Sequence, residues 1–421
     1  MSDTHQVLDL DRVRRIFDLA GSYMVWTGGG YTEDPYPAWH RLRDRAAVQP
    51  GIVHELMGVT DPLGFHGLPE PDRVHYSAFS WAACDAVYRN EEVFASSAGP
   101  VDIEHGPIGP TNSMLSMNGP QHRRYRALVQ PSFGPVRARW WIENWIDAAV
   151  HALIDCFEDR GRAELNVEFC AAIPVLTITG SFGVPVEQAL DIRETAARRP
   201  ELLVDILAPI VAARREEPED DLISVLVQSE ITGDDGRTHR LSDAEIHSFS
   251  ALLLAAGSGT TWKQMGIVLA ALLQRPELLA AVRADRALLR SAIEESLRWM
   301  PTDPMFSRFV TRDTELAGAH LPEGAVIHVC LGAANRDPGR WDRPDEFDVH
   351  RPLKPTLAFG SGPHVCLGQH VARAEMTVAV GALLDRLPGL RLDPDAPPPR
   401  YIGLYERGAT AIPVVFDPRG A

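Results

Sequence analysis

Cysteine is scarce and scattered in this 421-residue chain. Cys84, Cys156, Cys170, Cys330 and Cys366 are odd in number and form no CxxC pair, which argues against a disulfide framework and against a zinc site. No window approaches about eighteen consecutive apolar residues, so no transmembrane helix is expected. Early Asp3, Asp9 and Asp11 replace the basic-then-apolar layout of a signal peptide. Positive charge is also short: 41 Lys and Arg stand against 57 Asp and Glu, a net charge of −16. That balance disfavours nucleic acid as a general partner and favours solubility. The expectation is a cytoplasmic protein with no nucleic acid and no membrane.

What is present is ordinary for a globular protein, 45% hydrophobic and 23% charged. Residues 1–34 show no clear period and contain a Gly28-Gly29-Gly30 hinge, so a loosely packed arm is expected there. Length alone suggests two or three domains, a soft prior that large single domains break. A first helix is read over 34–44, a strand over 74–79, a helix over 81–90, and a loop rich in Gly, Pro and Ser over 96–113. Residues 136–170 read as helical with an interruption near Gly161, and 171–183 as an apolar helix. Gly233 to Arg240 reads as a polar turn.

Ser242 and Glu245 then form a capping box. The helix that it opens is expected to run to about Leu273, nearly apolar throughout, as a helix crossing the centre must be. Inside it lies Ala256-Gly257-Ser258-Gly259-Thr260-Thr261. Each glycine costs about 1 kcal/mol in a helix, so two imply close approach by something flat, or a local kink.

Further on the chain reads Phe359-Gly360-Ser361-Gly362-Pro363-His364-Val365-Cys366-Leu367-Gly368. This is a glycine-broken loop, one cysteine, and then an amphipathic helix expected through Asp385. The glycines permit conformations and approaches that a β-carbon forbids. A cysteine at the positive end of a helix is biased towards thiolate, the form that ligates metals. Alone it reads as readily as a small buried hydrophobe.

The decapeptide resembles the haem-binding signature of the cytochromes P450, Phe-Gly-x-Gly-x-His-x-Cys-x-Gly, without mismatch at Phe359, Gly360, Gly362, His364, Cys366 or Gly368. The continuation Ala372-Arg373-Ala374-Glu375 is similar too. The resemblance, spanning roughly residues 35 to 417, implies a mainly α fold with small β-sheets, the cytochrome P450 fold. It implies haem b (iron protoporphyrin IX) held by the Cys366 thiolate, whose electron donation favours O–O cleavage. The implied activity is a monooxygenase, an oxidoreductase that hydroxylates or epoxidises an apolar organic molecule using O2 and two electrons.

Other segments carry the resemblance further. Asn118-Gly-Pro-Gln-His122-Arg-Arg-Tyr-Arg126 matches a family pattern whose His and Arg grip a haem propionate, with Asn118 and Gly119 in place of Asp and Pro. His122 and Arg126, four apart, share a helical face. Arg308 stands where the family has a second propionate arginine, and His364 completes that set. Leu115, Ala256 and Gly257 are placed against the haem, and Met305, Phe306 and Gly259 in the substrate pocket. Glu295 and Arg298 match a structural Glu-x-x-Arg, with Arg351 as third member. Ala334-Asn-Arg-Asp337-Pro338 matches a further segment without assigned chemistry.

Two departures stand out. The family's central-helix motif ends in an acid followed by Thr-Thr; Thr260 matches the oxygen-side threonine, but Gly259 replaces the acid. Ser258, ordered water or a substrate group then completes proton relay, or peroxide replaces dioxygen plus electrons; Thr260 itself has the alternative of bonding back to a carbonyl one turn earlier. Second, 185–221 is short for the family's lid. Two abbreviated helices are expected around 187–198 and 200–216, giving either a trimmed lid of no consequence or a more open pocket. No flavin or iron–sulfur segment is fused, so ferredoxin and ferredoxin reductase are expected as electron donors, with Arg123, Arg124 and Arg373 as a candidate basic patch. A peroxide-dependent enzyme and a non-catalytic haem sensor are the rival readings.

Overall fold

A computed structural model describes residues 9–19, 28–60, 72–109, 112–233 and 236–418. Its axis is the long helix that Ser242 opens. The Ser242 hydroxyl accepts from the Glu245 N–H at 3.2 Å, and the Glu245 carboxylate accepts from the Ser242 N–H at 2.8 Å. This reciprocal cap satisfies two donors that a helix start leaves unpaired. The helix comes in two parts, Asp243–Gly259 and Thr261–Leu273. The expected single run is thus corrected: it breaks at Thr260, just after the two glycines. After Leu273 the chain bends by 102° into Pro276–Ala284, and no single helix among the described residues is long and apolar enough to cross a membrane.

The first part packs against Ala172–Ser181 and against lid helices Ala189–Arg198 and Leu203–Glu216; the second packs against Ala287–Trp299 and Gln369–Arg386. Every residue from Thr261 to Leu273 is buried. This surrounding explains why the helix is apolar on all sides.

Beside the helices lies a five-stranded sheet: β1 (Val48–Pro50), β2 (His75–Ala78), β3 (Phe94–Ala95), β4 (Phe306–Val310) and β5 (Val326–Val329), in spatial order β1-β2-β5-β4-β3. β2 and β5 run parallel and the other pairs antiparallel. Ile327 on β5 sits opposite Arg308 on β4, which fixes that arginine on the central sheet. Tyr36–Arg45 and Trp81–Arg89 fall where the sequence pattern puts them.

Several local expectations need correction. Residues 9–19 are not loose: Asp9 caps helix Leu10–Ile16, and Val13, Ile16 and Phe17 are buried. Phe17 meets Trp262 edge-on at 5.3 Å between ring centroids. So short a helix shows no period of its own; its burial comes from its partners. The segment over 136–170 is broken by two π turns, Ile142–Ile146 and Asn166–Cys170, and by strand Arg162–Glu164, which pairs with Pro413–Val415. The 233–240 turn is flanked by a hairpin, Glu230–Thr232 with Thr238–Arg240. Past the fourth strand, Ala317 and Gly318, both with positive φ (49° and 82°), reverse the chain between Thr314–Leu316 and Ala319–Leu321.

Candidate active site

Cys366 is held by its own loop. Its N–H donates to the Phe359 carbonyl at 2.8 Å, and the Val365 N–H to the Gly362 carbonyl at 3.1 Å. Gly360 and Gly362 both have φ of +70°, and a β-carbon on Gly362 would collide with the Tyr88 carbonyl. Only glycine satisfies both demands at that position. Helix Gln369–Arg386 follows directly. The Cys366 side chain is solvent-accessible although protein surrounds it closely, the signature of a wall of an internal hollow. Burial pushes its pKa up, while the Gly368 N–H and Arg126 pull the other way, towards thiolate.

The central helix supplies a second accessible surface. Leu252, Ala255, Ala256, Gly257 and Thr260 are accessible, whereas Leu253, Leu254, Ser258 and Gly259 are buried. A stripe of small and apolar residues at helical spacing stays open in the middle of a core only where it borders a hollow. Thr260 Oγ1 donates to the Ala256 carbonyl at 3.3 Å, the back-bonded alternative raised by the sequence. Leu115 is 43% exposed for a large apolar side chain, and Phe306 is partly accessible.

At the polar end four side chains converge. The rings of His122 and His364 stack with centroids 3.8 Å apart. Arg126 donates to the Val365 carbonyl at 2.7 Å. Arg308 donates to the Ser307 carbonyl at 2.7 Å and lies 5.3 Å from the Tyr88 ring centre. Burial, then neighbouring cations, lower His122 to about 4. Burial, then His122, lower His364 to about 2. His122 Nδ1 is buried with no hydrogen-bond partner among the described residues. Two cations and two imidazoles gathered this way suit a bound anionic group. Glu91, the nearby acid, is engaged by Arg123 at 2.7 Å.

Sequence reasoning missed the support for this cluster. Asn118 accepts from the Ser96 N–H at 2.7 Å and donates to Ser97 Oγ at 3.1 Å, and Ser96 Oγ lies 3.1 Å from His364 Nε2. The departure from the family's aspartate thus keeps an acceptor and adds a donor. Asn335 also gains a role: its side-chain oxygen accepts from the Leu357 N–H at 2.8 Å, two residues before the thiolate loop starts.

Glu295, Arg298 and Arg351 come together as expected. Arg298 binds both Glu295 oxygens at 2.7 and 2.8 Å, and Arg351 reaches Glu295 at 3.0 Å. Arg298 also donates to the carbonyls of Asn335, Pro344 and Glu346. The group is buried, Glu295 at 4% and Arg298 at 1% exposure, and pins the chain that leads into the loop.

Other expected residues lie elsewhere. Met305 is fully buried in the core and lines no hollow. Ser258 Oγ donates to the Leu254 carbonyl at 2.6 Å and is turned from the open stripe. A β-carbon on Gly257 would lie 2.9 Å from Ile178, and one on Gly259 would lie 3.4 Å from Arg193. Helix packing, more than a flat ligand, therefore accounts for Gly257, whereas a β-carbon on Gly259 would make only ordinary contact. The basic patch is largely neutralised: Arg123 pairs with Glu91, and Arg373 pairs with Glu294 at 2.5 Å while stacking 4.5 Å from the Phe359 ring centre.

A cysteine on an accessible inner wall, a cationic cluster beside it and a broken helix with an open stripe now stand together. A family profile described as Cytochrome P450 matches residues 182–404, more than half of the chain. This chain belongs to the cytochrome P450 family. It is 35% identical over 366 residues to the nocardicin C N-oxygenase of Nocardia uniformis, covering 79% of this chain and 89% of that one. It is 34% identical over 321 residues to cytochrome P450 107B1 of Saccharopolyspora erythraea, covering 73% and 77%. Among solved structures it is similar to P450BioI in complex with an acyl carrier protein carrying hexadec-9Z-enoic acid, with a TM-score of 0.76, 28% identity and coverage of 91% and 99%. The P450 is accordingly a helix-rich monooxygenase with small sheets, and its cofactor is haem b. The cationic cluster, the orphaned His122 nitrogen and the accessible thiol fit that group.

Proposed function

We propose that this P450 inserts one oxygen atom from O2 into an apolar organic molecule, by hydroxylation or epoxidation, with electrons delivered by a separate ferredoxin and its reductase. The observation that carries this reading is the pairing of an accessible, loop-held Cys366 with an open, apolar stripe that ends at Thr260. When bound, haem supplies oxygen activation that thiolate ligation promotes.

The chain's own residues do the rest. Cys366 would bind the haem iron through its sulfur, whose position Phe359, Gly360 and Gly368 set. His122, Arg126, Arg308 and His364 would hold its propionates, with Ser96 orienting His364 Nε2. Leu115, Ala256 and Gly257 would contact the group, and Phe306, with Leu252 and Ala255, would give the substrate an apolar wall. Thr260 holds a proton at Oγ1; its 3.3 Å bond to Ala256 is at the long end of useful geometry and is readily redirected into the hollow. A cytoplasmic, single-domain enzyme with a short N-terminal arm before residue 35 agrees with this role.

Gly259 favours a second reading, in which peroxide serves in place of O2 and electrons. The substrate range of the relatives is broad: one is named for N-oxygenation of nocardicin C, and another was solved with an acyl group on a carrier protein. The test is product formation from a panel of apolar molecules, free or thioester-bound to a carrier protein, chosen by their shift of the ferric Soret band. Product that requires O2, ferredoxin and reductase supports the proposal. Equal yield with hydrogen peroxide alone supports the second reading, and no product under either condition overturns both.

A further inference from the structure

The space beside Gly259 is filled from another helix. Arg193, on lid helix Ala189–Arg198, is only 2% exposed. Its Nη1 lies 3.4 Å from where a Gly259 β-carbon would stand and 3.4 Å from Ser258 Oγ. Its guanidinium lies 5.4 Å from the centre of the Phe17 ring, and Phe17 in turn meets Trp262 of the central helix. Two flanking lid residues are gripped from the same side: Arg12 pairs with Asp191 at 2.6 Å and with Glu194 at 3.0 Å. A guanidinium taken this far out of water must be held by a specific environment. Ser258 supplies an acceptor and Phe17 a π face.

We propose that Arg193 is a positioning residue that latches the lid helix onto the central helix one residue before the Thr260 break. The inference rests on reading Thr260 as the oxygen-side residue, because only then does the latch couple lid closure to the reacting end of the site. Ser258 follows from the same geometry. Its oxygen accepts from Arg193 while its proton is committed to Leu254, so it serves the latch and does not relay protons. An acid restored at 259 would face a cation and tighten the contact.

The test uses the haem-loaded protein and needs no known substrate. Hydrogen–deuterium exchange over residues 189–198 reads lid opening, and stopped-flow binding of 4-phenylimidazole reads access to the iron. Arg193→Met is expected to speed lid exchange at least tenfold, leave β2 and β5 unchanged, and raise both the binding and the release rate of the probe. Arg193→Lys, which keeps the charge, restores at least part of both effects. Unchanged lid exchange in Arg193→Met overturns the proposal. Should that variant not fold, Gly259→Asp and Gly259→Asn carry the test without touching Arg193. The two share shape and differ in charge, so slower lid exchange and slower probe release in the aspartate variant support the latch, and equal values overturn it. Failure of the monooxygenase reading would instead appear as absent turnover with these lid effects intact.

Discussion

The thiolate loop and the lid are held by different kinds of interaction. On the loop side a buried carboxylate, Glu295, meets two arginines at ordinary hydrogen-bond distances, and Arg298 spends its remaining donors on three backbone carbonyls. On the lid side Arg193 contacts Ser258 and the Phe17 ring among its partners, Arg12 makes part-exposed ion pairs, and further aromatic rings pack around them. Breaking a saturated buried network strands a charge and is expensive, whereas part-exposed pairs exchange easily with water. The P450 thus fixes the Cys366 loop with a saturated buried network and leaves more breakable contacts around helix Ala189–Arg198.

The sharpest way to break this contrast is at the ligand. Cys366→Ser should abolish the long-wavelength Soret band of the reduced, carbon-monoxide-treated protein, and retention of that band would remove the thiolate assignment. Glu295→Ala should cost about 3–5 kcal/mol, because Arg298 stays buried without its carboxylate; a loss below about 1 kcal/mol in urea unfolding would mean that the network is not rigid. Glu375 lies on the helix after the loop, 3% exposed, near Thr177. Its pKa is raised from 4.5 to about 8 by burial, so the folded state keeps a proton that the unfolded chain has released. Its contribution to stability should therefore be fullest below about 4.5 and fall until about 8, by about 1.4 kcal/mol per pH unit at most. Glu375→Gln should flatten that slope, and unfolding measured across this range with an unchanged slope would show the acid to be solvated.

Smaller effects belong to the other side. Thr260→Ala should leave unfolding nearly unaltered, since alanine is the better helix former. It should lower product per electron pair by about tenfold or more, if the hydroxyl moves protons. Arg12→Ala should cost under about 1 kcal/mol yet measurably speed exchange in the lid, and a larger loss would place the N-terminal helix with the rigid part.

What was readable from sequence follows the same division. The Cys366 loop, the Ser242 cap and the Glu295–Arg298 pair are fixed by residues within a few positions of one another, so local pattern sufficed. Arg351, 53 residues beyond Arg298, was legible only through the resemblance. Nothing local marks Arg193, Asn335 or Phe17, whose partners lie far along the chain. Met305 misled because the resemblance placed it by its position in the chain, and position does not say which side chains of a segment meet the hollow. The break at Thr260 was foreshadowed by its two glycines, but the helix that crowds Gly257 was not.

Helix Leu10–Ile16 carries a practical consequence. Its Arg12 holds helix Ala189–Arg198, so if that helix opens as proposed, any purification handle or fusion partner joined ahead of Leu10 would pull on a moving part. Kinetic constants measured with such an appendage would describe the appended protein, and handles carried beyond Val415 would leave that motion undisturbed.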